Sequence, residues 1–176
     1  MNENRRRIDV LLEPDYLDDV GTCDLEELRR RRHTAEDVET QISYYRRLLH
    51  GRMDLLNFEL RRRRGEEERS LLEALPEILA AGMVFGPEPS LRHIETMPPL
   101  PSTTGRRLID RIMDDGVLTR LPEMDEEEVI DAIERLSEVE GELSAQRKQL
   151  HSIIDAIQEE IVSRYRSSQG NTSVSN

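Results

Sequence analysis

Two segments of the chain carry the same polar side chains at the same spacing. Glu39, Ser43, Arg46, His50 and Asp54 read Glu-x3-Ser-x2-Arg-x3-His-x3-Asp, and 101 residues later Glu140, Ser144, Arg147, His151 and Asp155 repeat the pattern. These residue types suit the recognition of a polar, anionic heterocycle. An arginine fork fits guanine O6 and N7, or two phosphate oxygens, and it stacks on a base. A carboxylate such as Asp54 can accept from guanine N1–H and N2–H together. Ser and His add short hydrogen bonds. Two arginines, two aspartates and two glutamates match a twofold-symmetric molecule with guanine edges and phosphates. Charged pairs at i,i+4 are common on any solvated helix; five polar residues repeated at identical spacing are not.

The spacing asks for helices. At about 100° per residue the five positions fall at roughly 0°, 40°, −20°, 20° and 60°, one stripe about 22 Å long. Each stripe sits one residue behind an apolar seam. The first seam is Val38, Ile42, Tyr45, Leu49, Met53, Leu56 and Leu60; the second is Val129, Ile133, Leu136, Val139, Leu143, Leu150, Ile154, Ile157 and Ile161, interrupted at Gln146. Steps of three and four over this length describe a coiled-coil seam. With the seam at a and d, the stripes occupy e and b. In an antiparallel pair e flanks e, so both stripes line one side; in a parallel pair they part. The expected fold is all-α: an antiparallel two-helix coiled coil with short accessory helices and a Pro-rich loop, and one composite, pseudo-twofold site.

Turn and cap residues set the expected boundaries. Residues 1–33 read as a flexible N-terminal arm with a short helix capped near Asp24. Thr34-Ala35-Glu36-Asp37 reads as the start of the first long helix, 34–64. Helix continues over 66–81, towards Pro76 and an Ala80-Ala81-Gly82 stop. Five prolines between 82 and 105 demand a loop, and Leu108, Ile109 and Ile112 space a short amphipathic helix over 106–113. Asp125-Glu126-Glu127-Glu128 opens the second long helix, 125–166. The helical-hairpin domain is thus 34–166 with a connecting segment 65–124, and the Ser-rich 167–176 reads as a disordered tail.

Composition excludes several classes. The 176 residues carry a net charge of −12, against a general nucleic-acid binder and direct DNA binding. Arg29–Arg32 and Arg61–Arg64 read as solvated helix ends beside acidic runs. Aromatics are 3% and Trp is absent, against a β-sandwich or barrel. No apolar run reaches the roughly 20 residues of a membrane span. Lone Cys23 excludes an internal disulfide and points to the reducing cytoplasm. An enzyme is not expected: Ser43 and His50 lie about 10 Å apart along a helix, too far for a nucleophile and its base. His50/Asp54 and His151/Asp155 offer a metal alternative, but the arginines of the same stripe repel a cation, and no metal is expected. A ligand-free coiled-coil adaptor explains the seam and leaves the repeat a coincidence.

Over about 34–62 and 125–162 the sequence resembles the RsiG-type anti-sigma factors of actinobacteria, whose motif is Glu-x3-Ser-x2-Arg-x3-Gln-x3-Asp. Glu39, Ser43, Arg46 and Asp54 match the first motif, and Glu140, Ser144, Arg147 and Asp155 the second. His50 and His151 stand where that motif has Gln, substituting two ring nitrogens for an amide, with a different reach. The resemblance implies an antiparallel helical pair that binds cyclic di-GMP, as one molecule or two, and in the loaded form sequesters a WhiG-type sporulation sigma factor. An acidic chain suits the basic surfaces of such a partner.

Overall fold

The structure is a computed structural model that describes residues 7–84 and 116–172. The expected loop beyond residue 84 and the expected short helix over 106–113 lie outside the described residues. Every regular element among those described is helical, as the all-α expectation required: α1 (Arg7–Leu11), α2 (Leu25–Arg63), α3 (Leu71–Val84), α4 (Val117–Arg120) and α5 (Glu126–Thr172). The chain divides into two compact units. The first is Met1–Ile42 with Ala145–Asn176, and the second is Ser43–Ser144. Each unit therefore takes one part of α2 and one part of α5.

The first long helix starts at Leu25, not at Thr34. Asp24 is its N-cap: the carboxylate accepts the Glu27 N–H at 2.7 Å. Thr34 lies inside the helix, and its hydroxyl donates to the Arg30 carbonyl at 3.0 Å. The physical reason is tertiary. Leu28 and Ala35 are both fully buried, so the apolar seam runs back past the arginine run. Of the expected arm, residues 7–33 hold α1, a series of turns and the opening of α2.

The helix ends at Arg63, within a residue of the expected 64, and the helix expected from residue 66 begins only at Leu71. Gly65 adopts φ 75°, the left-handed conformation a glycine takes without steric cost. The Glu66 N–H then reaches the Arg61 carbonyl at 2.9 Å and the Gly65 N–H reaches that of Arg62 at 3.1 Å, a Schellman stop. A capping box restarts the chain as α3: the Ser70 N–H donates to Glu73 at 2.8 Å, and the Glu73 N–H to the Ser70 hydroxyl at 3.3 Å. Pro76 sits inside α3 on an exposed position and does not end it.

A second capping box opens α5, with the Glu128 N–H on Asp125 and the Asp125 N–H on Glu128, both at 2.9 Å. The start matches the sequence expectation; the end does not. The helix runs on through Thr172 because its serines do not break it: the Ser167 and Ser168 hydroxyls bond back to the Ser163 and Tyr165 carbonyls at 3.0 and 2.9 Å.

In the first unit the core comprises Leu11, Leu28, Ala35, Val38 and Ile42 with Leu150, Ile153, Ile157 and Ile161. Ile153 is buried where the seam reading placed Ile154; both steps fit a helical period. In the second unit Leu49, Leu56 and Leu60 are buried, as are Val129, Ala132, Leu136 and Leu143. A further cluster of Phe58, Ala74 and Ile78, joined by Leu55 and Leu71, packs α3 onto α2.

Within each unit the two helices run antiparallel. In the first, Arg29 meets Tyr165, Arg32 meets Gln158 and Glu39 meets Arg147. In the second, Arg46 meets Glu140 and Arg64 meets Glu126. As numbers rise on α2 they fall on α5.

Candidate ligand-binding site

The ten motif residues lie on α2 and α5, and each unit gathers one set. In the second unit the Glu140 carboxylate is the hub. A single oxygen, Oε1, accepts from Arg46 Nε at 2.9 Å, Arg46 Nη2 at 2.7 Å and the Ser144 hydroxyl at 2.8 Å. His50 Nε2 lies 3.2 Å from the same oxygen. In the first unit Glu39 is the hub: its Oε1 accepts from Arg147 Nε at 2.8 Å, and His151 Nε2 lies 3.2 Å away. The arrangement is the same with the helices exchanged. A glutamate on one helix is clamped by an arginine and the histidine one turn beyond it on the other.

The clamps are partly sheltered. The Glu140 and Glu39 side chains are 18% and 19% exposed, whereas His50 and His151 are 44% and 49% exposed. The glutamates thus sit beneath imidazole rings that face water. Burial alone would push the Glu140 carboxyl up. Hydrogen bonds from Arg46 and Ser144, with the charges of Arg46 and His50, outweigh it and hold the carboxyl below its ordinary range. Ser43 is half-buried on α2, and its carbonyl accepts from Arg47 Nε at 3.4 Å. Asp54 is half-buried and Asp155 exposed; among the described residues neither forms an ion pair.

The stripes of α2 and α5 thus meet within each unit, as the spacing argument required. The glutamates' role as arginine partners was not anticipated. The signal was available: in antiparallel stripes, Glu at the start of one motif lies near Arg in the middle of the other. No group of three or more His, Cys, Asp and Glu side chains among the described residues is placed to hold a metal ion. No described helix is long and apolar enough to cross a membrane.

The clamps make stability acid-sensitive. Glu59, the one charged residue buried among those described, is also held below its ordinary range, chiefly by the hydrogen bond from Arg62, against burial and with help from Arg63. A carboxyl whose folded pKa is depressed contributes stability above its unfolded value, about 4.3. That contribution is lost as pH falls through the folded value. Urea midpoints should therefore fall between about pH 6 and pH 3, and Glu140→Gln should show a smaller fall than the wild type. Equal falls would mean the clamp is not formed.

Residues 14–79 match a family model described as RsiG-like. The matched span contains the first motif and all of α2; the second motif lies beyond it. Comparison with curated proteins finds no match. The family match supports an anti-sigma role, with a sigma factor as the general kind of partner. Over residues 14–79, where the first motif forms its half of the clamps, the chain is similar to the RsiG-like family.

Proposed function

We propose that this protein is an anti-sigma factor that binds cyclic di-GMP through Glu39, Ser43, Arg46, His50, Asp54 and their repeats Glu140, Ser144, Arg147, His151 and Asp155, and that the loaded form sequesters a WhiG-type sigma factor in the cytoplasm. The observation that carries this reading is the duplicated clamp. Each unit holds an arginine in a fixed pose on a glutamate, beside a solvent-facing histidine and an aspartate one turn further on. Fixed arginines are prepared donors for guanine or phosphate, because their ordering cost is met before the ligand arrives. Arg46 engages Glu140 through Nε and Nη2, and its third nitrogen remains for a ligand. Asp54 and Asp155, outside any ion pair among the described residues, are acceptors suited to guanine N1–H and N2–H.

Two matching Glu–Arg–His clamps support two ligand molecules per chain. The function is binding, not catalysis, and no resident metal takes part. A net charge of −12 favours approach to the basic surfaces of a sigma factor. Isothermal titration of the full chain with cyclic di-GMP tests the ligand. Saturable binding at about two per chain is expected. No heat at tens of micromolar ligand, confirmed by equilibrium dialysis, would leave the clamps as structural ion pairs.

A further inference from the structure

The C-terminal parts of the long helices carry a second repeated pair that the ligand reading does not use. Glu59 and Arg63 on α2 recur 101 residues later as Glu160 and Arg164 on α5. In the second unit Arg63 Nε donates to Glu59 at 2.8 Å, Nη2 donates to the Leu121 carbonyl at 2.6 Å, and Nη1 donates to the Met124 carbonyl. In the first unit Arg164 Nε donates to Glu160 at 2.7 Å. Its Nη2 donates to the Val20 and Gly21 carbonyls at 3.0 and 3.1 Å, and its Nη1 to the Cys23 carbonyl. Met124 directly precedes Asp125, the cap of α5, and Cys23 directly precedes Asp24, the cap of α2. Each arginine therefore ties the C-terminal part of one long helix to the turn that opens the other.

This contact does what the apolar seam cannot. On α5, Val129, Leu136, Leu143, Leu150 and Ile157 are all buried and recur every seventh residue. Sliding one helix by a heptad, about 10.5 Å, would again set apolar on apolar. A periodic seam leaves register open, and polar contacts must close it. A helix-opening turn occurs once per helix, so a guanidinium bound to its carbonyls accepts one register only. The fork is also braced from its own helix by glutamate, which fixes its plane. Both Arg63 and Arg164 side chains are mostly sheltered, at 20% and 27% exposed.

We propose that Arg63 and Arg164 are positioning residues that set the axial register of α2 against α5 within their own units. Arg63 thereby brings Glu140 opposite Arg46 and His50, and Arg164 brings Glu39 opposite Arg147 and His151. Lysine cannot replace either, because a single ammonium lacks the planar fork that serves a carboxylate and two carbonyls together. The consequence for cyclic di-GMP rests on the function proposed above; the lock itself does not.

The test follows the imidazole signals of His50 and His151 by NMR in the full chain without ligand. Arg63→Lys should shift or broaden His50 more than His151, and Arg164→Lys should do the reverse. Glu59→Gln and Glu160→Gln, milder changes, should give the same unit-specific pattern at smaller amplitude and decide the matter if a lysine variant does not fold. Both imidazoles moving equally, as general destabilisation would cause, or neither moving, overturns the proposal. Cyclic di-GMP affinity of either lysine variant should weaken by roughly tenfold, because a displaced Arg46 or Arg147 loses about one charge-assisted contact to the ligand. If the wild-type chain binds no ligand, the function proposed above fails while the imidazole pattern still decides the lock.

Discussion

Replacing Arg46 or Arg147 with alanine should weaken cyclic di-GMP binding at least tenfold, and replacing both should bring it close to background. A charge-assisted hydrogen bond contributes about 1.5–3 kcal/mol, and each 1.4 kcal/mol is about a decade in affinity. The arginines also organise the site. Without Arg46, the Glu140 carboxylate keeps only Ser144 and His50 among its present partners. It would be left partly buried with its main counter-charge gone. The binding loss should therefore come with a lower urea midpoint at neutral pH. Lysine at either position separates the two effects: it keeps the charge beside glutamate and loses the fork, so stability should recover more than affinity. Titration calorimetry and urea melts on the single, double and lysine variants check this. Wild-type affinity in the double alanine variant would assign the motif to helix pairing alone.

The residues of the clamps were legible in the sequence because their spacing is redundant. Five polar positions repeated over 101 residues define a helical face without any knowledge of packing. The antiparallel direction within each unit followed from asking when both faces meet, and Arg46 on Glu140 and Arg147 on Glu39 answer that question. The start of α5 was legible for a local reason, since Asp125 and Glu128 form a capping box from their own side chains. The start of α2 was not. Thr34-Ala35-Glu36-Asp37 has the composition of a helix start, and only the burial of Leu28, an effect of packing, shows that the helix is already under way. Gly65 gave no sign of its left-handed turn beyond being glycine, so α3 read as a continuation. Phe58 lies outside the seam and became core because α3 folds onto it. The Arg63 and Arg164 contacts end on backbone carbonyls, which residue types do not reveal.

Capture of a WhiG-type sigma factor should depend on cyclic di-GMP, and Asp54→Ala/Asp155→Ala should abolish that dependence. In each unit the clamp residues come from both α2 and α5. A ligand that engages them holds the two helices together and stabilises the paired form by mass action. A partner that recognises the paired form gains by the same amount, because coupling between two binding events is reciprocal. Typical coupling of about 1–3 kcal/mol corresponds to roughly 5- to 150-fold tighter sigma binding with ligand present. The aspartates are the right place to break the link. They make no ion pair among the described residues, so alanine there removes guanine acceptors and leaves the Glu–Arg clamps intact. The variant should stay folded with an unchanged urea midpoint, lose ligand binding, and capture sigma only at the level of the ligand-free wild type. The measurement is a pull-down below saturation, with and without cyclic di-GMP, on both proteins. Equal capture by the wild type in both conditions would remove ligand gating and leave sequestration standing. Capture in neither condition would remove the WhiG-type partner.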